Sequence, residues 1–135
     1  MMMAVNESND NFADEVKLHW GHTQAFAQSQ SRTSKYRPED YRAAQGQAEQ
    51  AENLLLDAFL RGNLPSSTQA KDAAKAHQDA ITNWYYDCSD EIHVGLAEMY
   101  LLDERFKAHY ENIHEGLAQY VHDAIIENST SKREI

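Results

Sequence analysis

The sequence predicts an all-α fold, an orthogonal or globin-like bundle of helices around one core. Apolar residues recur at steps of three and four along most of the chain, which places them on one side of each helix. Strict alternation of apolar and polar residues, the pattern of a half-buried strand, never persists. Only five glycines and two prolines interrupt the 135 residues. Periodicity alone leaves an up-and-down four-helix bundle open as a second arrangement.

The first long helix is predicted to begin at Pro38, because the N–H that proline lacks would be unpaired in a first turn anyway. Glu39 and Asp40 follow, and acidic side chains stabilise the positive end of a helix. Gly62 is predicted to end this helix, and Pro65 prevents its resumption. Its apolar side is made by Tyr41, Ala44, Ala48, Ala51, Leu55, Ala58 and Phe59.

Capping residues predict where the later helices begin. Ser66 and Gln69 have the spacing of a capping box, which predicts a second helix whose apolar side runs to Trp84. A third helix begins at Ser89 or Asp90, residue types whose oxygens accept from free backbone N–H groups. Further along, Asp103 is predicted to cap a short fourth helix, Glu104 to Tyr110, and a fifth helix carries the apolar residues from Ile113 to Ile125.

The two ends of the chain carry weaker patterns. Phe12, Val16, Trp20 and Phe26 indicate two short helices around Gly21, and the polar run 28–37 is predicted to be a loop. We therefore divide the chain into a flexible N-terminal segment or lid with short helices (1–37), a helical core (38–127) and a frayed tail (128–135).

Charge and composition exclude several classes of function. The chain has 22 acidic and 12 basic residues and a formal charge of −10, which argues against direct contact with nucleic acid or anionic lipid. No run approaches the ~20 apolar residues that span a bilayer. The single cysteine, Cys88, cannot form an internal disulfide, so we expect a cytoplasmic protein.

Two histidines lie on apolar sides of predicted helices. His77 shares its side with Ile81 and Trp84, and His93 shares its side with Leu96. Each fits three interpretations: a core histidine bonded to a carbonyl, a polar group in an apolar pocket, or an axial haem ligand. The repeated Glu-x-x-His pairs of a di-iron bundle are missing from the sequence, and we predict no metal and no cofactor.

Aromatic residues are the densest signal. Trp84, Tyr85 and Tyr86 are consecutive, so on a helix they point in three directions. Three adjacent large rings cannot all be buried at native density in a small domain. They therefore favour a concave, largely apolar pocket with a few polar groups.

Blocks of residues between about Phe12 and Glu127 have a specific order and spacing. They are Trp20-Gly21-x-Thr23-x-x-Phe26-x-x-Ser29, then Tyr36 with Glu39-Asp40, His77-x-x-x-Ile81-x-x-Trp84-Tyr85-Tyr86, His93-x-Gly95-Leu96-x-x-Met99-Tyr100, Asp103-x-Arg105-Phe106 with Tyr110, and Gly116-Leu117-Ala118-x-Tyr120 with Ala124-Ile125. In this order they resemble the TipAS antibiotic-recognition domain. That family is the drug-binding part of a group of MerR-type transcription regulators, and it also occurs alone.

The resemblance implies a globin-like helical fold without haem, no catalysis, and a cleft for bulky, largely apolar antibiotics such as thiopeptides, closed by a mobile N-terminal segment. We expect the ligand to contact Trp20 on the lid, His77 at the rim, and Trp84, Tyr85, His93, Met99, Tyr100, Phe106 and Tyr110. Some members bond covalently to a dehydroalanine through a cysteine. Cys88 is the one cysteine that could do so here, and the corresponding position is occupied either by Cys88 or by Gly95.

The resemblance implies one of two roles, the effector-recognition domain of a MerR-type activator or a stand-alone protein that confers multidrug resistance by sequestration. We expect a monomer unless the chain is joined to a coiled-coil DNA-binding half. Two alternatives remain open: a haem- or metal-binding helical protein, and a non-catalytic protein-interaction module.

Overall fold

The computed structural model describes residues 24–133, and within them it places six α-helices and no strand. The predicted all-α class is confirmed. In chain order the helices are α1 (Gln24–Thr33), α2 (Pro38–Leu60), α3 (Thr68–Trp84), α4 (Asp90–Leu102), α5 (Glu104–Ile113) and α6 (Leu117–Arg133).

Both predicted ends of α2 are confirmed. Pro38 is its first residue, and the Asp40 carboxylate accepts from the backbone N–H of Arg37 at 2.9 Å. At the other end Gly62 takes a left-handed conformation with φ of 78°. The N–H of Asn63 then donates to the carbonyl of Ala58 at 3.0 Å, which closes a Schellman turn.

A side-chain oxygen caps the first turn of each of α3, α4 and α5, and the predicted capping residue was wrong for α3. Ser89 accepts from Ile92 N at 3.2 Å and Asp103 accepts from Arg105 N at 2.9 Å, as expected. The cap of α3 is Ser67 rather than Ser66, and it accepts from Ala70 N at 3.1 Å. The N–H of Ser67 donates to the carbonyl of Leu64, and this turn moves the helix start by one residue.

The prediction of a loop for the polar run 28–37 was wrong for its first part, because α1 continues to Thr33. α1 thus includes the second of the two predicted short helices, and because only Ala25 is buried in it, no apolar periodicity revealed its continuation past Phe26. Polar contacts to the end of α3 and to the α3–α4 connection hold it instead. Arg32 donates to the Thr82 carbonyl at 2.8 Å and pairs with Asp87 at 3.0 Å. The helix predicted around Phe12 and Val16 lies outside the described residues.

The last helix, α6, continues beyond the apolar pattern that ends at Ile125. Asn128 and Ser129 are buried although both are polar. Lys71 on α3 donates to the Ser131 hydroxyl at 3.0 Å, which ties the end of α6 to a neighbouring helix. Polar groups thus extend the packed part of this helix past the residues that periodicity predicts.

The core lies where α2 packs on α3 and where α6 packs on both α3 and α4. Its largest fully buried side chains are Leu55, Leu117, Ile125, His93 and Val121. Alanines on α2 and α3, among them Ala58, Ala70 and Ala74, allow the helix backbones to approach closely. One fully buried position among these large side chains is thus occupied by a histidine.

Candidate functional site

Four polar aromatic side chains meet in the interior, and we call them the histidine–tyrosine cluster: His77 from α3, His93 and Tyr100 from α4, and Tyr110 from α5. Nδ1 of His77 lies 2.9 Å from Nε2 of His93, and the two rings stack with centroids 5.1 Å apart. Nε2 of His77 faces the hydroxyls of Tyr110 at 3.3 Å and Tyr100 at 3.5 Å. His77 is therefore the centre of the cluster.

Burial determines the protonation of this cluster. It lowers the pKa of His77 to about 4, so the ring is neutral near pH 7. A neutral imidazole donates through one nitrogen and accepts through the other, and His77 therefore couples His93 to two phenols. Burial also raises the pKa of Tyr100 and, with the charges of Tyr100 and Glu52, the pKa of Tyr110. The phenols accordingly stay protonated.

Glu52 brings a carboxylate to the edge of this cluster. It comes from α2, and His109 Nε2 donates to its Oε2 at 2.8 Å. The side chain of His109 is 53% exposed, whereas that of Glu52 is 20% exposed. The His109 ring also meets Tyr110 edge-on at a centroid distance of 4.9 Å, so this partly exposed pair borders the cluster.

Trp84 and Tyr85 belong to a second, more exposed group at the end of α3, together with Tyr36 and Tyr41. The Tyr36 ring meets Trp84 edge-on at 5.8 Å and Tyr41 edge-on at 5.6 Å. The Tyr36 hydroxyl donates to the backbone carbonyl of Trp84. Burial and the charges of Tyr36 and Tyr41 raise the pKa of Tyr85. We call these four residues the outer aromatic group.

The three consecutive aromatic residues, Trp84, Tyr85 and Tyr86, therefore lie in two different environments. Trp84 and Tyr85 are half-buried in the outer aromatic group, whereas Tyr86 is buried. Burial, followed by the charges of Cys88 and Tyr100, raises the pKa of Tyr86, which places this ring on the inner side.

The predicted ligand contacts fall into three sets. The structure brings His77, His93, Tyr100 and Tyr110 together, with Phe106 against Tyr100 at a centroid distance of 5.8 Å. Trp84 and Tyr85 lie in the outer aromatic group, and Met99 is half-buried against the core. Trp20 lies outside the described residues.

Cys88 is buried immediately before α4, with 6% of its surface exposed. Its backbone is fixed on both sides, because its N–H donates to Thr82 Oγ1 at 3.1 Å and its carbonyl accepts from Gln78 Nε2 at 2.8 Å. Gly95 is exposed on α4, and a Cβ built there would meet no atom within 4 Å. Cys88 thus has a thiol but is buried, whereas Gly95 is exposed but has no side chain.

Sequence reasoning missed Gln47 and Glu52, both on α2. Gln47 accepts from the indole N–H of Trp84, and Glu52 pairs with His109 and raises the pKa of Tyr110. A signal for both was present in the sequence. Gln47 lies three residues after Ala44, and Glu52 lies three residues before Leu55, so each polar side chain falls on the buried side of α2.

Three of the cavities lined by described residues lie elsewhere. One of about 620 Å³ opens between α2 and α3, one of about 260 Å³ lies beside α6, and one of about 200 Å³ lies beneath α1. None of these three has a predicted site residue in its wall. Across residues 24–133, no three His, Cys, Asp or Glu side chains are grouped so as to hold a metal ion. None of the helices in that range is long and apolar enough to cross a membrane.

Comparison with known proteins finds similarity over most of the chain. The model of the TipAS antibiotic-recognition domain family matches residues 12–128. The HTH-type transcriptional activator TipA of Streptomyces lividans is 37% identical over 120 residues, and the HTH-type transcriptional activator mta of Bacillus subtilis is 31% identical over 125. These alignments cover 89% and 93% of this chain but only 47% and 48% of the relatives. The chain therefore spans about half the length of each activator.

A solved structure extends the similarity to three dimensions. It is TipAS of Streptomyces lividans in complex with nosiheptide, part of a thiopeptide antibiotic multidrug resistance system. The TM-score is 0.81 at 36% sequence identity, over 91% of this chain and 86% of the other. Both the sequence and the helical arrangement are thus shared with a ligand-binding domain.

Proposed function

The chain belongs to the TipAS antibiotic-recognition domain family, and from that membership we propose that it binds bulky, largely apolar antibiotics of the thiopeptide type. The observation that carries the proposal is the 0.81 TM-score to TipAS in its nosiheptide complex, at 36% identity. In this proposal the outer aromatic group and the histidine–tyrosine cluster would form the site for such a ligand.

The two groups would contribute in different ways. Trp84 and Tyr85 are half-buried, so a heterocycle stacking on them would remove further apolar area from water, at about 25 cal/mol per Å². The neutral His77 and its two phenols are buried and hydrogen-bonded to one another, so they could bond to a ligand only after the helices around them shift, and in that dry environment such bonds are stronger than in water. Because thiopeptides are rigid macrocycles, capture would cost little ligand entropy.

Closure by the N-terminal part of the chain completes the proposal. Residues 1–37 would act as the lid, with Trp20 contributing a further ring, while residues 38–127 form the body, from which α6 continues to Arg133. The docking of α1 by Arg32 and Asp87 supports this division, because the helix is attached by polar contacts and buries only Ala25. Folding of a lid over the ligand would couple binding to a change of conformation.

Covalent capture through Cys88 is not part of the proposal. The thiol is enclosed, and attack on a dehydroalanine would first require that the α3–α4 connection open. We propose reversible, non-catalytic binding, either as the effector-recognition half of a cytoplasmic transcription activator or as a protein that sequesters the drug. The relatives that are transcription activators support the first role.

The proposal is tested by thermal unfolding with and without nosiheptide, followed by equilibrium dialysis. Ligand at a hundred times its Kd stabilises a folded protein by about 2.7 kcal/mol, and we expect a saturable rise of several degrees in the unfolding midpoint. Trp84→Ala should reduce that rise while leaving helicity intact, and Leu102→Ala, at a side chain that is 85% exposed, is the matched control. A folded protein whose midpoint nosiheptide does not raise would refute the proposal.

A further inference from the structure

The indole of Trp84 is held by a residue from another helix. Its Nε1–H donates to Oε1 of Gln47 at 2.7 Å, a short bond for a neutral pair. The same oxygen accepts from Nδ2 of the neighbouring Asn83 at 3.3 Å. Gln47 lies in α2, whereas Trp84 is the last residue of α3, so this bond crosses between two helices at the exposed edge of their contact.

A half-buried tryptophan at a helix end would not otherwise be fixed in one orientation. Two torsions separate the ring from the backbone, and part of the side chain is exposed. Tyr36 packs edge-on against the ring at an interplanar angle of 79°, which leaves rotation about the contact possible. A hydrogen bond at Nε1 removes that rotation, since the nitrogen lies far from the axis about which the ring turns.

We propose that Gln47 is a positioning residue for ligand recognition, which fixes the plane of the Trp84 indole so that its exposed surface is ready to stack against a planar heterocycle. The inference rests on the proposed function, because it assigns Trp84 to ligand contact. A ring ordered before the ligand arrives loses less freedom on binding, and the affinity is correspondingly higher. The side chain of Gln47 would act through Trp84 and need not touch the ligand.

The test compares variants of Gln47 in the full chain. Gln47→Met and Gln47→Ala both remove the acceptor oxygen, and Gln47→Glu keeps an oxygen at the same reach. Gln50→Met makes the same chemical change at an exposed position of the same helix and is the matched control. For each protein we would record the indole ¹⁵N–¹H resonances, assigned with Trp84→Phe, and the nosiheptide affinity by equilibrium dialysis.

We expect Gln47→Met and Gln47→Ala to shift the Trp84 indole resonance upfield and to weaken nosiheptide affinity about five- to tenfold, the effect of one neutral hydrogen bond. Gln47→Glu should restore both measurements, and Gln50→Met should change neither. Circular dichroism would establish that each variant is folded.

Three results would overturn the inference. In the first, the resonance shifts in Gln47→Met and Gln47→Ala but the affinity is that of the parent. In the second, Gln47→Glu binds as weakly as Gln47→Met, so that the acceptor oxygen is not the cause. Either result leaves the proposed function standing, because the parent still binds. In the third, the parent itself does not bind nosiheptide, and then the proposed function fails as well.

Discussion

Glu111 caps a helix to which it does not belong, and its replacement tests how α5 and α6 are joined. The residue before α6 is Gly116, which has no side-chain oxygen for the free N–H groups of the first turn. Glu111 from α5 supplies the acceptor oxygens instead. Its two carboxylate oxygens accept from the N–H groups of Gly116 and Ala118, each at 3.0 Å.

Replacing Glu111 by alanine should therefore destabilise the protein by about 0.5–2 kcal/mol, the range for loss of a capping side chain. The bonds from Gly116 and then Ala118 lower the pKa of this carboxyl below its ordinary value of 4.5. Because the folded-state pKa is the lower one, the stabilisation is complete above about pH 4.5 and is lost as the pH falls through the folded-state value. The difference between Glu111→Ala and the parent should shrink accordingly in acid.

The assay is urea unfolding followed by circular dichroism, at pH 7 and at several values below pH 4.5. Glu115→Ala is the control, because it removes the same charge from an exposed neighbour. Equal stability of Glu111→Ala and Glu115→Ala at pH 7 would refute the capping role. A loss in Glu111→Ala that persists undiminished in acid would show that the carboxylate charge is not what stabilises α6.

Three further predictions follow from the described geometry. Tyr110→Phe should lower the free energy of unfolding by about 1 kcal/mol in the same assay, because it removes the hydroxyl that lies 3.3 Å from His77, and an unchanged value would contradict that contact. Gly116→Ala should cost about 1–2 kcal/mol, since φ is 88° there and a Cβ would approach Phe59 Cζ at 3.3 Å; a stabilised variant would be the contrary result. After incubation with nosiheptide, intact mass spectrometry should find the protein mass unchanged, because the Cys88 thiol is buried; an adduct that is lost in Cys88→Ser would show the opposite.

Local signals in the sequence were sufficient for much of the fold. Pro38 and Gly62 bound α2 as predicted, because the consequences of a missing N–H and of a left-handed φ depend on the backbone alone. The sequence also predicted correctly that Ser89 caps α4 and that Asp103 caps α5. The cap of α3 shifted from Ser66 to Ser67 since two adjacent serines offer the same chemistry, and only the preceding turn distinguishes them.

The arrangement of the candidate site was harder to predict. Periodicity placed His77 and His93 on apolar faces but could not show that the two rings face each other, because that depends on how α3 and α4 cross. Gln47 and Glu52 reveal a further difficulty. Each polar residue lies on a buried stripe, and sequence alone does not identify the partner that makes such a position favourable.

The way in which α1 is fastened has a kinetic consequence. A helix that buries one alanine and relies on Arg32 and Asp87 loses little when it detaches, since water replaces its polar contacts almost completely. Its amide protons should exchange with deuterium through brief local openings, long before those of α4 and α6. Added salt should hasten that exchange by screening the guanidinium–carboxylate pair.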